Sequence, residues 1–325
     1  MKYSVKVLFM TLTLLIGSNF VLAKKVIKVG HGASESYHMH KAWLKFSDVL
    51  KDLSNGNIVV EIFPNGQVGG DRELIESVQS GIIDMTSPSS DILAGWDTVY
   101  SITGLPFIFE DRASALRVLN GDLGKALLEN AVNLELVGLG WMENGVRQIT
   151  NNKRAIRTPD DLKGVKIRTM QVAAHIELFK LMGANPTPMS FNEVYSALQQ
   201  GVIDGQENPL GHIYQSRFYE VQNFLTMSEH VYTTHIVLAN PDFYANFTDE
   251  EKSWIDQALK QAVDYQQDLV TKEEDADLAA IEKAGLTITR LTIDERKAFQ
   301  QISLPLIDQF RQKIDKKWFE LLDKK

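Results

Sequence analysis

One phrase is written twice in this chain. ELIESVQSGIIDM, residues 73 to 85, returns as EVYSALQQGVIDG, residues 193 to 205, and the second copy runs on into QENP. Glu73, Val78, Gln79, Gly81, Ile83 and Asp84 fall on Glu193, Leu198, Gln199, Gly201, Ile203 and Asp204 at a constant offset. In each copy apolar residues stand four apart (Leu74 and Val78; Val194 and Leu198), a glycine follows where a helix needs a left-handed cap, and a short apolar run comes next. The expected unit is helix, glycine stop, buried strand. A period of about 120 residues is too long for a solenoid, so two similar α/β lobes in one chain are expected.

The first 23 residues stand apart from that fold. Lys2 and Lys6 give a positive start, Val7 to Ile16 is mostly apolar, and Val21-Leu22-Ala23 ends in the small residue a signal peptidase requires. Residues 1–23 therefore read as a signal peptide. The alternative, a membrane anchor, needs roughly 20 apolar residues, and this stretch is shorter. The chain has no cysteine, which excludes a lipoprotein, a disulfide scaffold and a thiol enzyme. Without the leader's two lysines, 32 basic side chains face 42 acidic ones, a formal charge of −10. That balance disfavours nucleic acid and anionic membranes as partners, yet leaves room for a small anion held by local arginines. An exported chain, 44% hydrophobic and large enough for two lobes, is the expectation.

Periodicity divides the rest. Val26 to Val29 reads as a strand, His38 to Leu53 as a helix with Leu44, Phe46, Val49 and Leu50 on one side, and Ile58 to Phe63 as a strand. The first repeat follows, then the apolar loop LPFIF at 105 to 109, helices around Ala113 and Leu123, and a strand through LELVGLGW. The alternation restarts at Thr158 to Asp161, with a strand at Val165 to Arg168, a helix at Ala173 to Met182, and a proline-broken link from Asn185 to Met189 into the second repeat. His230 to Asn240 is β-rich. Thr248-Asp249-Glu250-Glu251 is a capping box opening a helix that runs without Gly or Pro to Ala284, long enough to span both lobes.

In open α/β sheets ligands bind beyond the carboxyl ends of strands. The repeats thus point to Thr86, Ser87, Ser89 and Ser90 after the first unit and Gln206, Glu207 and Asn208 after the second; the competing reading is two solvated loops. Arg168 ends an apolar strand, so its guanidinium would emerge at the mouth of the sheet, and Arg147 lies on the approach to the same lobe. A surface ion pair is the alternative for each. No His-Glu-x-x-His pair, Gly-x-Ser-x-Gly elbow or phosphate loop occurs, and His38 and His40 diverge on a helix, so neither catalysis, a metal nor a cofactor is expected.

The tract DLKGVKIRTM, followed by GANPTPMSFNEVYSALQQGVIDGQENPL, resembles the DctP-type solute-binding proteins of tripartite ATP-independent periplasmic (TRAP) transporters. FPNGQVGGDRELIESVQSGIIDM, LPFIF and NGVRQITN extend the resemblance over essentially the whole chain after the leader. It implies an α/β, two-lobed periplasmic binding protein, a type II-like clamp whose lobes share a long helix and strands. Lobe 1 would comprise residues 24–144 and 234–273, and lobe 2 residues 145–233 and 274–325. By the same resemblance Arg168 would be the main carboxylate ligand, Asn208 its neighbour on the carboxylate, Arg147 a second cationic contact and Phe191 an aromatic wall. Gln206 and Glu207 join them from the second repeat, while His38, Asp71, Ser89 and Trp141 are cleft candidates. Members that bind sialic acid carry a glutamate where this chain aligns Ser89, which argues against a matching amino sugar. GWMENGVRQITN with KIRT resembles the branch associated with sugar acids such as hexuronates and diketogulonate, while the family label points to C4-dicarboxylates. The hydroxyls of Ser87, Ser89 and Ser90 would suit a polyol tail. The implied function is non-enzymatic capture of an organic acid anion in the periplasm and delivery to a membrane TRAP permease. The alternatives are a secreted α/β enzyme acting on sugar acids and the ligand-binding partner of a membrane sensor.

Overall fold

A computed structural model describes residues 24–324, so the leader expected at 1–23 lies outside the described residues. Ten strands form a sheet: β1 (Lys25–Gly30), β2 (Ile58–Phe63), β3 (Met85–Thr86), β4 (Val137–Asn151), β5 (Lys166–Thr169), β6 (Asn185–Pro188), β7 (Gly205–Pro209), β8 (Phe224–Met227), β9 (Tyr232–Ala239) and β10 (Thr287–Arg290). Their order is β2-β1-β3-β9-β4-β7-β5-β6, with β8 and β10 paired beside β4. Read from its two ends, this order repeats. β1 pairs in parallel with β2 and β3, and β5 in parallel with β6 and β7; β3 then meets β9 antiparallel, as β7 meets β4. The doubled phrase thus builds one half-sheet on each side of the β9–β4 junction.

The repeated residues hold this arrangement together locally. Gly81 and Gly201 both take left-handed backbone, with φ of +73° and +69°. The aspartate that follows reaches back to the neighbouring strand: Asp84 Oδ2 accepts from Lys28 N at 2.7 Å, and Asp204 Oδ2 from Lys166 N at 2.9 Å. That tie changes one expectation. The apolar runs after the glycines are tight turns, with Ile83 and Ile203 buried while Ile82 and Val202 are 66% and 53% exposed, and the strands begin only after each aspartate.

Two further readings are revised. The helix His38–Leu53 buries Met39, Ala42, Trp43, Phe46 and Leu50, a spacing of three and four, whereas Leu44 points outward. The link at Asn185–Pro188 is a strand. It forms the sheet's edge, where the missing N–H groups of Pro186 and Pro188 cost no ladder bond.

Two elements cross between the halves. β4 pairs with β9 through Val137–Val146 and with β7 through Arg147–Asn151, bending at bulges near Gly138 and Gly145. The 35-residue helix Asp249–Lys283, opened by the Thr248–Glu251 capping box, inserts Ile255, Ala258, Leu259 and Ala262 among Ile27, Val29, Trp43 and Phe46. Further along it, Ile281 packs with Val194, Leu198, Ile203 and Leu210 of the other half. Between these anchors Gln266 closes a pair of 2.8 Å bonds on the backbone N–H and C=O of Glu143 in β4. No described helix is long and apolar enough to cross a membrane.

Candidate functional site

The carboxyl ends of β1, β3, β5 and β7 converge on a cavity of about 50 Å³ walled by both halves. Arg168, the third of β5's four residues, is 2% exposed. Its Nε and Nη2 donate to Met189 O at 3.1 and 2.9 Å, which aims the guanidinium, while Nη1 has no partner among the described residues. Burial brings its pKa down to about 10, against the pull of Glu207 and Asp71, so it remains a cation at neutral pH. Asn208 of β7 is fixed beside it: its Oδ1 accepts from Arg147 Nη2 at 3.2 Å and its Nδ2 donates to Gln206 Oε1 at 2.5 Å. The second Nδ2 hydrogen remains for a ligand oxygen. Phe191 covers the cavity, its ring 4.7 Å from that of His212.

From the first half come Asp71 and Ser89. Asp71 Oδ2 accepts from Ser89 N at 3.0 Å, and burial pushes its carboxyl up to about 6 despite that bond. Ser89 Oγ donates to Asp91 Oδ1 at 2.8 Å. The neighbouring serines face away: Ser87 Oγ accepts from Trp43 Nε1, and Ser90 Oγ is shared with Thr103 and Thr234. Of the three serines expected to serve a polyol tail, Ser89 borders the cavity and its Oγ keeps acceptor lone pairs, while Ser87 and Ser90 lie off the wall.

Five other candidates lie off the wall. Arg147 and Glu207 form a fully buried ion pair, Nη2 to Oε1 at 2.8 Å, backed by His230 Nε2 at 3.2 Å from Glu207 Oε2. Burial alone raises Glu207, but Arg147 and His230 outweigh it and hold the carboxyl well below its usual range. Arg147 is thus neutralised and is no free second cation. Gln206 donates to Thr150 Oγ1 at 2.9 Å and orients Asn208. His38 Nδ1 meets Gln266 Nε2 at 3.0 Å beneath the long helix, in a separate cavity. Trp141 is a core residue whose indole donates to Gly124 O at 3.3 Å.

Among the wall residues that the sequence reading did not single out are His212 and His235. Burial depresses both, His235 to about 3 and His212 well below the usual imidazole range. His235 carried a readable signal, since a histidine in the middle of the β-branched run YTTHIVLA is polar where apolar is expected.

A buried, aimed cation and amide between two half-sheets suits capture of an anion. The model of the DctP family, bacterial extracellular solute-binding protein family 7, matches residues 29–313. The chain belongs to that family. A relative, the 2,3-diketo-L-gulonate-binding periplasmic protein YiaO of Escherichia coli strain K12, is 34% identical over 86% of this chain and 84% of its own. The sugar acid binding protein DctPAm of Advenella mimigardefordensis strain DPN7T, solved with galactonate, superposes with a TM-score of 0.90 at 34% identity, covering 93% of this chain and 98% of that one. A TRAP periplasmic solute-binding protein of Sulfurospirillum deleyianum, solved with succinate, gives 0.89 at 32% identity over 93% and 99%. The architecture of this DctP-family chain is accordingly the two-lobed α/β clamp.

Proposed function

We infer that this chain is the periplasmic solute-binding subunit of a TRAP transporter, and that its cargo is a polyhydroxylated monocarboxylate of the sugar-acid class delivered to a membrane permease. The observation that carries the reading is the buried Arg168 guanidinium, which borders the cavity beside Asn208 and whose Nη1 has no partner among the described residues. A bidentate carboxylate fits that pair. Phe191 would exclude water above it and strengthen those charged bonds. Arg168 is the one Lys or Arg among the described residues of the wall, Arg147 is consumed by Glu207, and Asp71 adds a carboxylate of its own. A second carboxylate would thus find no cation and one repelling neighbour, which favours sugar acids such as the relatives' galactonate and diketogulonate over succinate.

Under this reading the leader ends at Ala23, and the lobes are 24–144 with 234–273 and 145–233 with 274–325. Hinge motion would pass through β4 and the long helix. The C-terminal helix Lys316–Asp323 seats against the helix Asp122–Asn130, tying the chain's end back to the first lobe.

The test is a thermal-shift panel of galactonate, hexuronates, malate and succinate at millimolar concentration, with mass spectrometry of the recovered ligand. A ligand at 100 times its dissociation constant adds about 2.7 kcal/mol, a rise of several degrees for a chain this size. A shift by sugar acids that are returned unchanged is expected. Shifts by malate or succinate alone refute the sugar-acid class, and a chemically altered ligand refutes the transport reading in favour of an enzyme.

A further inference from the structure

Five of the chain's seven histidines gather behind and within the cavity. His212 and His235 lie edge to face with ring centres 6.4 Å apart, and Tyr37 packs against His212 at 3.9 Å and His38 at 3.8 Å. His31 meets His40 at 3.1 Å, so its ring is engaged within the first half. Of these, only His212 and His235 reach the wall. His235 sits mid-strand in β9, opposite Met142 in register and bridged to Ser89 on its other side.

Buried side-chain nitrogens nearly always have partners. His235 is 4% exposed, and neither its Nδ1 nor its Nε2 has one among the described residues. The same is true of His212 Nδ1 and Arg168 Nη1. These groups mark a polar path across one cavity. Arg168 on β5 and His235 on β9 are separated by β7 and β4, three strand spacings or roughly 14 Å of sheet, which both side chains shorten from their ends.

We propose that His235 is a specificity-determining residue: with the carboxylate held at Arg168, its ring reads hydroxyls along the ligand's tail, one nitrogen donating and the other accepting, while His212 Nδ1 takes a further hydroxyl. This rests on the anion-capture reading above and deepens it. Because burial holds the ring neutral at pH 7, His235 presents one donor and one acceptor. A hydroxyl offers both roles and satisfies either nitrogen. A carboxylate only accepts, and would leave the acceptor nitrogen of His235 buried without a partner, which is how such sites reject the wrong ligand. Arg147, the charged group that acts on the ring, is already engaged by Glu207, and the backbone of Pro88 and Ser87 also faces His235.

Isothermal titration of the full exported chain with galactonate and with succinate tests this, on the wild type and on His235→Leu, His235→Asn and Arg168→Ala, each checked for a cooperative melt. His235→Leu should lose tenfold or more in galactonate affinity. His235→Asn, which keeps a donor and an acceptor, should recover most of the loss. Wild-type affinity in His235→Leu overturns the proposal, and so does an equal loss in both variants, which would mark a packing role. A wild type that prefers succinate to galactonate, with Arg168→Ala inactive, overturns the hydroxyl reading and leaves anion capture standing. Binding of neither acid by the wild type overturns both.

Discussion

Arg147 on β4 and Glu207 on β7, two positions off register, form an ion pair with both side chains fully buried, so the second arginine of the site region is a structural cation. Removing one member of a buried pair leaves an uncompensated charge, which typically costs about 3–5 kcal/mol. Arg147→Met should therefore lower urea stability at pH 7 by that order. The double change Arg147→Met with Glu207→Met should recover much of the loss, since no charge is then stranded. A variant Arg147→Met that melts like the wild type but no longer binds ligand would return Arg147 to the list of direct contacts.

Arg168 should behave in the opposite way. Its burial penalises the charged form, and its protein partner is one carbonyl, Met189 O. Arg168→Ala should keep or slightly raise the apo melting temperature while losing tenfold or more in affinity. A charged hydrogen bond contributes about 1.5–3 kcal/mol, and micromolar binding needs about 8 kcal/mol, so this residue is necessary without being sufficient. Unchanged affinity by calorimetry would remove it from the site.

The halves also touch at the cavity mouth. A Cβ placed on Gly70 would meet Ser190 Oγ at 2.3 Å, and one on Gly66 would meet Asn192 Nδ2 at 2.1 Å, each across the cleft. Gly70 has φ −79° and ψ −177°, extended backbone that any residue adopts, so a side chain there obstructs closure without straining the fold. Gly70→Leu should weaken binding tenfold or more and abolish the ligand-dependent fall in radius of gyration expected of the wild type in X-ray scattering. The same contraction in both proteins would show that closure does not pass through this contact.

What could be read from sequence was whatever neighbouring residues decide among themselves. Gly81 and Gly201 cap their helices, Thr248 and Glu251 open the long one, and Arg168 stands one residue before the end of its strand, each within a few positions. Register between distant strands was not readable. The pairing of Arg147 with Glu207 depends on β4 meeting β7 antiparallel, and nothing in NGVRQITN specifies that partner. The repeat also concealed an asymmetry. Gly30 in β1 and Arg168 in β5 hold equivalent places beside Thr86 and Gln206, yet a side chain at Gly30 would strike Leu74 and Ile83 within 3 Å. One half therefore supplies the cation, and the other supplies room, Asp71 and His235.

Asp71 gives the site a pH dependence of definite sign. Burial raises its carboxyl to about 6, with the charge of Asp91 adding to the rise and Arg168 and Ser89 N opposing it. When ionised, it repels an incoming carboxylate and competes for Arg168; when protonated, it does neither. Binding an anion should therefore favour the protonated form and take up a proton near pH 6. Affinity for galactonate should rise as pH falls from 7.5 to 5.5. No other group in the wall obscures this window: His235 is held at about 3, Arg168 at about 10, and the ligand's carboxyl titrates near the α-carboxyl range of about 3.3–3.7. The same shift acts on folding, because a carboxyl raised in the folded state stabilises it below its unfolded pKa and loses that contribution as pH rises through about 6. Asp71→Asn keeps an acceptor for Ser89 N while removing the charge. It should flatten the affinity profile, bind more tightly than the wild type at pH 7.5, and melt at a higher temperature there. Titrations in buffers of different ionisation enthalpy measure the proton uptake directly, and an equal uptake by Asp71→Asn would assign the effect to another group.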